Sequence, residues 1–129
     1  MSATVLTIEG SRIDGIAGFY AEINRLFMAN EDWQLGHSLD ALNDLFHGGY
    51  GTGAGGPVTL HWRDMEHSRK ALGPAATIAH LVARLDQPTY DQPALRARIA
   101  ALQGGTGPSY FDEILEIIAE HPRITLLPG

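Results

Sequence analysis

Residues 33–51 read W-Q-L-G-H-S-L-D-A-L-N-D-L-F-H-G-G-Y-G, and the rest of the chain is organised around this stretch. At about 100° per residue, a helix over Leu39–His47 puts Leu39, Leu42, Leu45 and Phe46 on one side. The other side carries Asp40, Asn43, Asp44 and His47, with His37 one turn earlier. Ser38 is placed to cap the first turn, and Gly48 to end the helix in the left-handed region. The polar side lacks compensation. No Lys or Arg occurs between Arg25 and Arg63, while Glu31, Asp32, Asp40 and Asp44 do. Asp44 falls in the last turn, where the helix dipole disfavours a carboxylate by roughly a few tenths of a kcal/mol. A solvated face is the plain account of such a helix; a surface for a cationic partner is the other.

Outward from this helix the chain alternates strand and helix signals. Thr4–Ile8 is a short β-rich run closed by Glu9-Gly10-Ser11. Asp14 is positioned to cap a helix with Ile16, Phe19, Tyr20, Ile23, Leu26 and Phe27 on its apolar side, ending before Asn30. Residues 48–56, G-G-Y-G-T-G-A-G-G, read as a flexible loop. They resemble a phosphate loop in glycine content alone, with no G-K-[ST] and a strand after them instead of before. Pro57–Trp62 predicts a second strand, and Asp64 a cap for a short helix through Leu72.

Two helices follow, Ala75–Leu85 and Pro93–Leu102, the second opening on proline. Ser109 and Asp112 form a capping pair for a helix to Glu120, and Arg123–Leu127 is the third strand. Three strands separated by helices predict an α/β fold, a small parallel sheet packed with helices.

The chain has 129 residues, 44% hydrophobic and 19% charged, with a net charge of −6 and no cysteine. This suits one soluble domain over residues 1–129. It excludes a disulfide framework and a thiolate nucleophile or metal site. An acidic balance argues against direct nucleic-acid binding and for a basic partner. No apolar run is long enough for a membrane span, and the N-terminus carries no basic, apolar leader. A cytoplasmic location is expected.

Three chemistries can be tried on the acidic helix. Asp40, Asp44 and His47, with His37, could line one face for a divalent metal, but no second cluster completes a shell, so no metal or cofactor is expected. Carboxylates on adjacent turns of one helix leave no cleft for acid–base work. No G-x-S-x-G elbow or equivalent occurs, and His61, His67, His80 and His121 are scattered. A second acidic stripe, Glu113, Glu116 and Glu120, lies on the last helix and again lacks basic partners. Two such faces point to a binding surface for a cationic pocket.

L-D-A-L-N-D-L-F-H-G-G at 39–49, preceded by Gly36, then P-V-T-L-H-W-R-D at 57–64 and A-E-H-P-R-I-T-L-L at 119–127, resemble the barstar family of inhibitors of barnase-type ribonucleases. The resemblance covers Thr4–Leu72 and Ser109–Leu127. It implies a non-enzymatic inhibitor, an immunity protein or antitoxin, whose helix Leu39–His47 and preceding loop plug the nuclease site. The aspartate at Asp44 would take the place of a scissile phosphate, with Asp40 and Glu116 engaging further basic residues. The implied contact set is Trp33, Gln34, Leu35, Gly36, His37, Asp40, Asn43, Asp44, His47 and Glu116.

The chain departs from the family where aromatic residues usually precede the glycine (here Gln34 and Leu35, with Trp33 one place further away) and at Ser38 for an asparagine; Asn43 stands where the best-known member has a tryptophan. The segment from 73 to 108 reads as an inserted helical pair. Its apolar stripes predict packing on the domain, with a monomer favoured over a homodimer. Immunity against a different toxin on the same scaffold, and a metal- or carboxylate-dependent hydrolase, are the alternative functions.

Overall fold

A computed structural model describes residues 3–85, 87 and 91–129. Residues 1–2 of the expected leaderless N-terminus, and 86 and 88–90 of the expected insertion, lie outside the described residues. The strands are β1 (Thr4–Glu9), β2 (Val58–Arg63) and β3 (Ile124–Pro128). The helices are α1 (Ile16–Phe27), α2 (Leu39–Phe46), α3 (Met65–Ala71), α4 (Pro74–Val82), α5 (Gln92–Gln103) and α6 (Tyr110–Ala119). A 3-10 turn, Gly10–Arg12, joins β1 to α1.

The sheet is parallel throughout, in the order β1-β2-β3, so the middle strand of the sequence is the centre of the sheet. Leu6 pairs with Leu60 and Leu60 with Leu126 across the three strands. Alternation then sends Ile8, Val58, Leu60, Trp62 and Ile124 into the core with Phe19, Tyr20, Ile23, Phe27, Leu42, Leu45, Phe46 and Ile114. Gly10 has to be glycine, because a Cβ there would lie 2.1 Å from the Arg63 carbonyl. That close approach lets Ser68 donate to the Gly10 carbonyl at 3.1 Å while accepting from the Trp62 indole at 2.9 Å.

A carboxylate is buried in this frame. Glu22 of α1 is 4% exposed and accepts from the Glu9 amide and from Arg25 Nε and Nη2. The Arg25 hydrogen bonds hold its carboxyl below the usual range, against the opposing effect of burial.

Two of the expected caps differ. The N-cap of α1 is Gly15, without a side-chain hydrogen bond, and Asp14 instead meets His67 Nε2 at 3.1 Å. Asp64 stands at the start of α3 but in the left-handed region at φ 50°, where its side chain does not reach the helix amides.

The expected insertion leaves and returns at one place. The Phe111 amide donates to the Leu72 carbonyl at 3.1 Å, and the Tyr110 amide to Thr77 Oγ1 at 2.7 Å. Between those points α4 and α5 pack on each other through a small cluster of their own, Leu81, Leu95, Ile99 and Leu102. His80 sets its ring edge against Tyr110, and Arg98 pairs with Glu113, so the pair sits against α6.

Candidate functional site

Helix α2 forms for the reasons legible in its sequence. Ser38 Oγ accepts from the Ala41 amide at 3.0 Å, and Gly48 follows the C-cap at φ +87°. Leu42, Leu45 and Phe46 are buried, while Asp40, Asp44 and His47 are exposed. Among the described residues, neither Asp40 nor Asp44 has an ion pair or a side-chain hydrogen bond. Nor does any group of three or more His, Cys, Asp or Glu converge on a point where a metal could sit.

The end of α2 is compensated by a residue far away in sequence. Arg123, just before β3, donates from Nε to the Phe46 carbonyl at 2.8 Å and from Nη2 to the Leu45 carbonyl at 3.4 Å. Its Nη1 reaches the carbonyls of Gly53 and Gly56 at 3.1 and 2.9 Å. One guanidinium therefore caps the helix and gathers the glycine-rich loop. This corrects the flexible-loop reading, because residues 48–56 are also tied by Thr52 N to the Phe27 carbonyl and by Gly51 N to Glu31 Oε1. No cation is near α2 in sequence, yet one sits on its C-terminus. It supports the backbone and leaves the Asp44 carboxylate in water.

The preceding loop is also held from behind. Asn24 of α1 accepts from the Leu35 amide at 2.7 Å and donates to the Leu35 carbonyl at 3.4 Å. Leu35 is 4% exposed and belongs to the core, so its side chain leaves the expected contact set. Gln34 and Gly36 are exposed. His37 is exposed and stacks on Tyr20 with centroids 5.1 Å apart. Tyr20 hydroxyl in turn bonds that of Tyr110. Burial and that bond push the Tyr20 phenol far above its ordinary value.

Trp33, 45% exposed, lies against Tyr50 with ring centroids 5.0 Å apart. Burial and the Asp44 charge raise the Tyr50 phenol. An aromatic pair, Trp33 and Tyr50, thus adjoins Asp44, although the positions just before Gly36 hold no aromatic residue. Asn43 is half-buried: its Oδ1 lies 2.7 Å from Nε2 of His121, a residue only 7% exposed at the end of α6. His47 packs its ring edge-on to His121 at 4.7 Å. Burial, and then His47, lower the His121 imidazole. His121 is therefore a buried support under α2, not a scattered surface group.

On α6, Glu116 is exposed as expected, but Glu113 is not without a partner. Arg98 of α5 pairs with it, and burial still raises its carboxyl. Asp40 and Glu113 line one cavity of about 330 Å³ between α2, α6 and the α4–α5 pair. Sequence reasoning missed Asn24, Arg123 and His121, whose partners lie far off in the chain. It also missed Tyr50, hidden in a run of glycines.

Among the described residues, no helix is long and apolar enough to cross a membrane. No curated protein matches the chain. The family model described as Barstar (barnase inhibitor) matches residues 3–99. The matched stretch takes in β1, α1, the loop, α2 and β2 whole, runs on through α4 into α5, and ends before α6, so Glu116 lies outside it. With the acidic helix, the loop before it and the first two strands of the sheet inside a match that spans more than half of the chain, the chain belongs to the barstar family, whose members are inhibitors and not enzymes.

Proposed function

We propose that this protein inhibits a barnase-type ribonuclease by seating α2 and the loop 33–37 in the enzyme's basic active site. The observation that carries the reading is a contrast within α2. Both ends of the helix and the loop before it are fixed from inside the molecule, by Ser38, Arg123 and Asn24, while Asp40 and Asp44 stand exposed and, among the described residues, unpaired. A pre-set pair of carboxylates suits a site organised for phosphate, where desolvated charge pairs couple by about 1.5–7 kcal/mol. Asp44 is the phosphate mimic in this reading. Asp40, Glu116 and the exposed parts of Trp33, Gln34, Gly36, His37, Asn43 and His47 surround it.

The unit acts as a single domain and a monomer, with α4–α5 docked on α6, in the cytoplasm beside the enzyme it restrains. Mixing the pure protein with barnase-type ribonucleases and following RNA cleavage tests the proposal. The expected result is stoichiometric, metal-independent inhibition. RNA turnover by the protein alone would refute it.

Immunity against a different toxin on the same scaffold is favoured by one observation. Asn43 is turned to His121 at a position where the best-known member of the family carries a tryptophan. A panel of toxin nucleases in the same assay separates the two readings.

A further inference from the structure

Helix α2 ends against a buried ring. His121, just past α6, is 7% exposed and meets Phe46 and His47 edge-on, with centroids 6.0 and 4.7 Å away. Its backbone is held at both polar groups. The amide donates to the Ile118 carbonyl at 3.1 Å, and the carbonyl accepts from the Ile124 amide at 2.9 Å. The imidazole is thus fixed before any partner arrives, with Nε2 2.7 Å from Asn43 Oδ1.

That contact decides which way the Asn43 amide faces. Burial, and then His47, lower the His121 imidazole, so at neutral pH the ring is uncharged and carries a single N–H. Nδ1 has no hydrogen-bond partner among the described residues, whereas Nε2 has Oδ1. The proton therefore sits on Nε2, since a buried N–H left without an acceptor is costly. With its oxygen turned inward, Asn43 directs Nδ2 and two N–H groups away from His121, and nothing among the described residues accepts them. Asn43 lies in the row Asp40, Asn43, His47 that successive turns bring together, and Asp44 adjoins it. The exposed side of α2 thus carries an oriented donor between its two aspartates.

We propose that Asn43 is a specificity-determining contact of the inhibitory face, its amide donating to an uncharged carbonyl oxygen of the nuclease, with His121 as the positioning residue. This contact rests on the inhibitory reading above and adds to it one feature that the partner must have.

The neighbours of Asn43 narrow the acceptor. A carboxylate brought to Nδ2 would stand beside Asp40 and Asp44 and be repelled by both. An ammonium or guanidinium has no lone pair to offer the amide. A carbonyl, from the main chain or from an Asn or Gln side chain, satisfies the donor and leaves both aspartates free for basic groups. A partner that presents an N–H here meets an N–H. The amide cannot turn over to suit it without taking the acceptor away from the buried His121 proton, so a wrong partner is penalised. The preset orientation also lowers the ordering cost of binding the right one.

The test measures dissociation of the full-length protein from a barnase-type ribonuclease that it inhibits, alongside thermal unfolding. Asn43→Asp keeps an oxygen for His121 and converts the outward donor into a charged acceptor. On a face that only meets basic groups, the added charge would slow dissociation. Against a carbonyl it should speed dissociation about tenfold or more. Asn43→Ala, which removes the donor and adds no charge, should speed it about two- to tenfold. Glu66→Gln, exposed on α3, should leave the rate unchanged. His121→Leu should also speed dissociation, yet add nothing in the Asn43→Ala background; a merely structural role would weaken binding in both. Nitrogen NMR of the free wild-type protein should find the His121 proton on Nε2.

A proton on Nδ1 overturns the contact whatever the nuclease does, and this readout stands if His121→Leu fails to fold. Asn43→Asp that dissociates as slowly as wild type, or more slowly, overturns it too. If Asp44→Asn weakens binding in that same assay, the inhibitory reading survives the loss. If the wild-type protein binds no barnase-type ribonuclease, the inhibitory reading falls and the Asn43 contact with it.

Discussion

Arg123 closes the end of the helix that displays Asp40 and Asp44, donating from Nε to the Phe46 carbonyl at 2.8 Å across 77 positions of sequence. The same side chain holds Leu45, Gly53 and Gly56. Arg123→Met keeps the stem and leaves those carbonyls to water or to nothing. It should cost on the order of 2–3 kcal/mol. Chemical denaturation with a free-energy extrapolation measures this, and an unchanged midpoint would show the clamp to be incidental.

Asp44→Asn distinguishes a displayed carboxylate from an ordinary surface one. Asp44 has no partner within the chain among the described residues, so stability should stay the same or rise by roughly a few tenths of a kcal/mol. Nuclease binding should weaken by about 2–5 kcal/mol, mainly through faster dissociation. Glu66→Gln, in an exposed ion pair with Arg69, is the control and should do neither. Wild-type affinity in Asp44→Asn with the fold intact would defeat the proposed mechanism.

Gly36 separates folding from recognition. A Cβ built there meets nothing within 4 Å, and its backbone is outside the left-handed region, so the fold has no need of glycine. Gly36→Ala should therefore leave stability unchanged or raise it by up to about 1 kcal/mol. If the enzyme's surface approaches this backbone closely, the added methyl should reduce affinity. Surface plasmon resonance on Gly36→Ala and wild type would show whether the glycine serves the partner.

Two histidines give the fold a pH response. His80 and His121 both resist protonation when folded, through burial first, with Arg84 next at His80 and His47 next at His121. The unfolded chain protonates them near pH 6.5, as ordinary histidines do. The unfolded state therefore binds more protons as pH falls, and stability declines from about pH 6.5 toward about 4, where His80 titrates in the fold. Glu22, held low, and Glu113, held high, act in the carboxylate range and oppose each other there. Urea midpoints between pH 7 and 5 should fall for wild type and fall less for His80→Asn.

The α4–α5 pair predicts a solution property. Leu81, Leu95, Ile99 and Leu102 cover one another within the chain, which leaves no large apolar stripe on α4–α5 in need of a second copy. Light scattering from micromolar to near-millimolar protein should report a constant monomer mass. A mass that doubles with concentration would overturn this.

What the sequence made legible were features whose causes are local. Ser38 with Ala41, Gly48 after His47, and the reciprocal Ser109–Asp112 box are set by residues within four positions, and each is present. Strand positions followed from β-branched runs and were off by one residue at most ends. Asp14 and Asp64 failed as side-chain caps because tertiary demands took them, His67 in one case and a left-handed turn in the other. At the site, the carboxylates could be read because their lack of nearby cations is visible in the chain itself. Asn24, Arg123 and His121 could not, since a donor that waits for a partner dozens of residues away looks like any other polar residue. Leu35 misled for a related reason: its neighbours are exposed, but two hydrogen bonds between its backbone and the Asn24 side chain draw it inward.

The central position of β2 has a consequence for how the molecule comes together. Both of its neighbours are distant in the chain, β1 lying before α1 and α2, and β3 after α6. Closing such wide loops costs entropy that no short-range contact returns, so sheet assembly is the slow event of folding. The Arg123 clamp immediately precedes β3 and forms only when that strand docks. With β3 undocked, α2 would lack this cap, so the order of the helix that carries Asp40 and Asp44 depends on the last strand of the chain.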